Sequence, residues 1–169
     1  VIEAIRLAKD MVRDGVIDRY AVVGTIGAMF YMEPLDTKDF DVMVILSPQD
    51  RVGPIVGVRM IEYISARGYP WRGQAVVIGG VPVDFIPASP GLDEEAVEHA
   101  VTATYQEEDV LVARPEHLLA IALNVGRRKD FLKASMLLEQ APLDESFLDS
   151  IIARYGLERQ FKKLEELGT

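Results

Sequence analysis

Asp39 and Asp41 are separated by one residue at the start of an apolar, β-branched run, Phe40-Asp41-Val42-Met43-Val44-Ile45-Leu46. Alternate side chains of a strand share a face, so both carboxylates emerge on the same side near the strand's mouth. Two carboxylates so placed repel one another, and a divalent cation between them makes the arrangement favourable. Taken alone, a D-x-D pair is also what a solvated strand end looks like. Asp84 adds a third acid, in the middle of Val81-Pro82-Val83-Asp84-Phe85-Ile86, with Val83 and Phe85 on one face and Asp84 on the other. Aspartate has poor β propensity and is costly to bury. If the two strands are neighbours, three carboxylates converge, and oxygen ligands around two hard cations about 3.5–4 Å apart form a phosphoryl-transfer clamp. The alternative for Asp84 is the open face of an edge strand, which Pro82 permits.

Gly24-Thr25 lies where a short strand meets a helix. A turn there directs free N–H groups outward and the helix dipole favours an anion, although an ordinary threonine N-cap has the same sequence. Arg127, Arg128, Lys129 and Lys133 form the densest basic cluster, read mostly as a solvated helix face. Arg154, Arg159, Lys162 and Lys163 alternate with Glu158, Glu165 and Glu166 and read as helix surface with i,i+4 pairing. His99 and His117 are read as structural or solvent-exposed, and Trp71, after Pro70 in a loop, as a core anchor or loop pin, with base stacking as its functional alternative. Glu33 and Asp36 add negative charge ahead of the D-x-D.

Composition narrows the chemistry. The 169 residues are 49% hydrophobic and 27% charged, which suits one compact domain. With no cysteine and two histidines, neither a thiolate metal site nor a zinc site built from several imidazoles is open to the chain. A metal here is a hard cation on oxygen ligands, Mg2+ or Mn2+. A net charge of −9 argues against a broad nucleic-acid-binding surface. No apolar run approaches the roughly 18–20 residues of a membrane span, and the first residues hold no signal-peptide core, so a cytoplasmic protein is expected.

The elements that would position these residues follow from periodicity and breakers. Ile2, Ile5, Met11 and Val12 predict a first helix ended by Gly15, and Tyr20–Val23 predicts a buried strand. A short helix is expected over 26–33, then the strand carrying Asp41. Ser47-Pro48-Gln49-Asp50 predicts a helix start, with the helix reaching about Arg67 and stopping at Gly68. Strands at 74–78 and 81–86 flank Gly79-Gly80, a hairpin signature. A short acidic helix (92–99) and strands near 101–105 and 109–112 follow. From Pro115 onward the chain reads as four helical pieces broken by Gly126, Pro142 and Gly156. The expected architecture is α+β: a mixed α/β core over 1–113 and a helical subdomain over 114–169 packed on it as one unit.

Together these elements resemble the nucleotidyltransferase superfamily with the polymerase-β-like palm fold. Its signature is a hydrophobic residue, Gly, then Gly or Ser, a short gap, and acid–hydrophobic–acid on a strand. Here Val23-Gly24-Thr25 precedes Asp39-Phe40-Asp41-Val42, and Asp84 falls where the third acid is expected. Thr25 departs from the pattern. The run Thr37-Lys38-Asp39-Phe40-Asp41, together with Arg114-Pro115-Glu116-His117-Leu118-Leu119 and Gly126-Arg127-Arg128-Lys129-Asp130, looks like the AbiEii-type branch, which includes toxins of toxin–antitoxin systems. The resemblance covers about residues 20–140. It implies a palm-like mixed sheet and an enzyme that moves a nucleoside monophosphate from a nucleoside triphosphate to a hydroxyl on tRNA or other RNA, protein or a small molecule. Asp39, Asp41 and Asp84 would hold the metal, Gly24 and Thr25 would contact the β and γ phosphates, Lys129 would neutralise phosphate charge or position the acceptor, and Asp130 would orient Lys129 or cap its helix. An antitoxin protein is an implied partner. Given Thr25, the alternative is a catalytically inactive nucleotidyltransferase-fold binding module.

Overall fold

A computed structural model describes residues 1–168. The chain builds a seven-stranded mixed sheet from β1 (Ile17–Val22), β2 (Phe40–Leu46), β3 (Trp71–Arg72), β4 (Ala75–Ile78), β5 (Val81–Pro87), β6 (Val101–Tyr105) and β7 (Glu108–Val112), in the order β3-β4-β5-β2-β1-β7-β6. β2 runs antiparallel to β1 and parallel to β5, and β1 runs parallel to β7. The remaining neighbours are antiparallel hairpins.

β2 is central and covered on both faces, which is why it reads as an almost unbroken apolar run. Phe40, Val42, Val44 and Leu46 join one core with Tyr20, Val22 and Val83. That core is closed by α1 (Ile2–Arg13), through Ala4, Ile5, Leu7, Ala8 and Met11, and by Met60 and Ile64 of α3 (Val58–Ser65). Met43 and Ile45 join the other core with Ala21 and Val23. There the cover is α4 (Leu92–Glu98), α5 (Pro115–Val125), α6 (Arg128–Gln140), α7 (Glu145–Arg154) and α8 (Glu158–Leu167). Asp41 shares a strand face with Met43 and Ile45, so it faces this second, helical layer. Among the described residues no helix is long and apolar enough to cross a membrane.

α5 is the central pillar of that layer, buried over most of its circumference, including Glu116 and His117. His117 Nε2 pairs with Glu95 Oε2 of α4 at 2.9 Å, and Arg154 of α7 also pairs with Glu95. The backbone N–H of Asp144 donates to Glu116 Oε1 at 2.8 Å, and the Arg114 guanidinium lies 4.1 Å from the Phe147 ring centroid. These polar contacts lock α4, α5 and α7 together. Of the two alternatives read for His117 they show the buried, structural one, and Arg154, besides its i,i+4 contact with Ser150 Oγ, reaches across to another helix.

The helix expected over 47–67 is not formed as one piece. Pro48–Asp50 makes a single 3-10 turn, residues 51–57 are irregular, and α3 begins only at Val58. Pro54 disfavours helical backbone at Gly53, whose φ is +109°, and Gly57 is left-handed at +82°. Asp50 still works as a cap, but across the interruption: its carboxylate accepts from the backbone N–H groups of Arg59 and Met60 at 3.0 and 3.1 Å. Trp71 lies in the two-residue strand β3, 41% exposed, with its indole N–H donating to Ser65 Oγ.

Candidate active site

The parallel ladder between β2 and β5 sets Asp41 directly opposite Asp84, with Phe40 opposite Val83 and Val42 opposite Phe85. Parallel neighbours in register present their side chains on the same face, strands about 4.8 Å apart. β5 is flanked by β4 and β2, so Asp84 is on an interior strand and the edge-strand alternative falls away. Asp39 stands one residue before β2, exposed, its backbone N–H and C=O both within 3.4 Å of Thr37 Oγ1.

Electrostatics couples the acids. Burial pushes the Asp41 carboxyl above its ordinary value, the charge of Asp84 adds to this, Lys133 works against it, Asp39 adds again, and Lys129 opposes. Asp84 is also raised, by burial and then by Asp39. Among the described residues no three His, Asp or Glu side chains stand together as a ready metal cage. What the structure brings together is the pair Asp41–Asp84, with Asp39 within electrostatic reach of both. Two half-buried carboxyls side by side fit a hard divalent cation, which would let both ionise.

Gly24 presses against this pair. α2 spans Gly24–Ala28, beginning two residues earlier than the sequence suggested and ending five residues sooner, so Gly24 and Thr25 form its first turn. The Val23 N–H donates to the Asp41 carbonyl at 3.0 Å, and Gly24 follows with φ +64°. A Cβ built on Gly24 would lie 2.2 Å from Asp41 Oδ2, so only glycine leaves this carboxylate its place. Gly27, one turn on, is packed against backbone instead, where a Cβ would come within 2.9 Å of the Val22 carbonyl oxygen.

α6 brings cations to the acids, but not in the arrangement the Lys129-Asp130 pattern implied. Asp130 is buried and accepts from Arg127 Nε and Nη2 at 2.7 and 3.3 Å, with Lys133 Nζ 3.5 Å from its Oδ1. Asp130 therefore orients Arg127 and Lys133; Lys129 is exposed and makes no such pair. Both Arg127 and Lys133 line the site; Arg127 remains largely exposed, as a solvated helix face implies, and Lys133 departs from that reading by being mostly buried. Their i,i+3 spacing about Asp130 was the available signal. Two clefts open here. One, of about 290 Å³, lies between Gly24, Asp41, Met43 and Ile86 on the sheet side and Leu118, Asn124, Arg127, Asp130 and Lys133 on the helices. The other, of about 380 Å³, is lined by Thr25, Asp36, Thr37, Lys38, Asp39, Lys129 and Lys133. Asp84 lines neither.

No protein-family model matches the chain, and no curated protein sequence matches it. Solved structures do. The solution structure of the antibiotic-resistance factor ANT(2'')-Ia superposes with a TM-score of 0.55 at 11% identity, over 99% of this chain and 96% of that one. The crystal structure of ANT(2'')-Ia in complex with adenylyl-2''-tobramycin gives 0.55 at 10% identity, over 95% and 98%. An antigenic nucleotidyltransferase-like protein from Paracoccidioides brasiliensis gives 0.52 at 13% identity, over 96% and 90%. The likeness runs along nearly the whole length of each chain, and the fold of this protein is nucleotidyltransferase-like.

Proposed function

We propose that this chain is a metal-dependent nucleotidyltransferase that moves a nucleoside monophosphate from a nucleoside triphosphate to a hydroxyl acceptor. The observation that carries the reading is the in-register pair Asp41–Asp84 on adjacent parallel strands, with Gly24 packed against Asp41 so closely that no side chain fits. Asp39, Asp41 and Asp84 would hold Mg2+ or Mn2+, which when bound neutralises phosphate oxygens and acidifies the attacking hydroxyl. Thr25 and Lys129, both lining the 380 Å³ cleft, would contact the β and γ phosphates. Asp84, its carboxyl raised by burial, would accept the proton of the acceptor hydroxyl. The hydroxyl oxygen forms a bond to the α-phosphorus, the bond to the β-phosphate oxygen breaks, and pyrophosphate leaves. Residues 1–113 would supply the acids and residues 114–169 the facing cations.

Of the three acceptor classes, a small-molecule hydroxyl has the most support. The net charge of −9 disfavours RNA, and a structural neighbour is seen with an adenylylated small molecule. The resemblance to the AbiEii-type branch supports an antitoxin protein as a partner, and a triphosphate substrate suits a cytoplasmic location. The binding-module reading is favoured by one observation, that no three acids are grouped as a cage among the described residues. An assay following labelled nucleoside monophosphate from each of the four triphosphates, with Mg2+ or Mn2+, onto small hydroxyl compounds, protein and RNA separates the two. Transfer by the wild type that is lost in Asp41→Asn supports the enzyme. Triphosphate binding without transfer to any acceptor supports the module, and equal transfer by Asp41→Asn would show that the chemistry lies elsewhere.

A further inference from the structure

Among the described residues Lys133 is the one that lines both clefts. It is held in place: its side chain is 14% exposed, and its ammonium stands 3.5 Å from Asp130 Oδ1. That distance exceeds a normal N–H···O bond, and Asp130 is already occupied by the forked contact from Arg127. The Lys133 ammonium thus keeps donors to offer, while the carboxylate beneath it fixes its position without consuming it. The cleft it shares with Thr25 and Lys129 holds three lysines against two aspartates, the reverse of the balance in an acidic chain. The other cleft holds three aspartates against Arg127 and Lys133 and has an apolar floor that includes Met43, Ile86 and Leu118. The anion-favouring side is therefore the Thr25 side, and Lys133 stands at its junction with Asp41. Lys129 on that side is exposed and must be ordered by the ligand, whereas Lys133 is ordered beforehand, which lowers the entropic cost of a contact.

We propose that Lys133 is the residue by which this site distinguishes a triphosphate from shorter phosphates, gripping the β and γ phosphates in the Thr25–Lys129 cleft, with buried Asp130 as its positioning residue. The inference rests on the nucleotide site proposed above. A purely structural Lys133 would change stability when removed and leave nucleotide preference alone, so the test reads preference.

Calorimetric titration of the full chain with ATP, CTP, GTP and UTP and with the matching monophosphates, in Mg2+ and without acceptor, makes the test. Wild type binds at least one triphosphate more tightly than its monophosphate. Lys133→Met lowers affinity for the triphosphate about tenfold or more, as expected for the loss of a charge-assisted phosphate contact, and leaves the monophosphate unchanged. Lys133→Arg restores most of the preference, and Lys133→Gln reproduces the loss should Lys133→Met fold poorly. Asp130→Asn keeps every cation yet loosens them, lowering triphosphate affinity in the same titration while leaving monophosphate affinity unchanged. If Lys133→Met and Lys133→Gln keep the wild-type preference, or lose mono- and triphosphate binding equally, the inference is wrong while the nucleotide-site reading stands. If wild type binds no nucleotide, the reading fails and the inference with it.

Discussion

In the function proposed for it, Asp41 combines two demands that usually conflict, a place in a half-buried strand and a charge available to a ligand. Burial and Asp84 hold its carboxyl above the ordinary 3.8, so ionised Asp41 is a cost to the folded state in the absence of a cation. The sign follows from linkage: a raised carboxyl favours the fold while protonated, and that contribution is lost as pH rises through the folded-state value. Asp41→Asn should therefore match or exceed wild-type stability near pH 7, and its advantage should vanish as pH falls below 3.8, which paired chemical-denaturation curves across pH would measure. Gly24 gives the opposite expectation. Alanine there is strained at φ +64° and drives its Cβ into Asp41 Oδ2, so Gly24→Ala should destabilise by about 1–3 kcal/mol and remove metal and nucleotide binding together. A variant of wild-type stability that still bound metal would contradict the packing described here. At this scale the shared face of Asp41 and Asp84 was legible because period-two alternation is local, whereas the packing of Gly24 against Asp41 was not, since it depends on how the strand-to-helix turn meets β2. Lys133 was not, since a lysine on a helix looks solvated until the buried Asp130 one turn before it is known to face the sheet.

Among the elements, the strands with Gly79-Gly80 between them and the helices separated by Gly126, Pro142 and Gly156 were legible because breakers and periodicity agree there. The long helix over 47–67 was misread because its start signal is real but serves another element: Asp50 caps α3 from beyond an irregular stretch. Local sequence carries no information about which helix a cap will meet. The junction of α4, α5 and α7 was also hidden, since Glu95, His117 and Arg154 lie far apart in the chain. Burial lowers the His117 pKa below its ordinary 6.5, against the pull of Glu95, with the charges of His99 and Arg114 adding to the depression. The native state then takes up its proton later than the unfolded chain, so this residue contributes stability above pH 6.5 that is lost as pH falls through its lowered value. Glu116, one residue earlier in α5, shares the junction through Arg114 and the Asp144 N–H. Denaturant midpoints at pH 7.5 and 5.5 should show wild type losing more stability on acidification than His117→Gln. Equal losses would place the acid sensitivity in other groups.

On the scale of the molecule, two layers with different duties meet at one edge of β2. The sheet sets carboxylates side by side, and the helical layer supplies Arg127, Lys129 and Lys133 opposite them. An acidic chain thereby concentrates cations at one place, where an anionic ligand has both a charge partner and a route to the acids. The composition showed only the global negative charge; the local reversal depends on how α6 is rotated against β2, which Asp130 and the packing of α5 decide. The most direct test is a crystal structure of the chain with Mn2+ and a triphosphate whose α,β bridge resists cleavage, read by anomalous scattering. The account predicts manganese peaks at the Asp41–Asp84 pair with the triphosphate tail running past Thr25 toward Lys133. Manganese bound elsewhere, or a triphosphate seated away from Gly24 and Asp41, would contradict it.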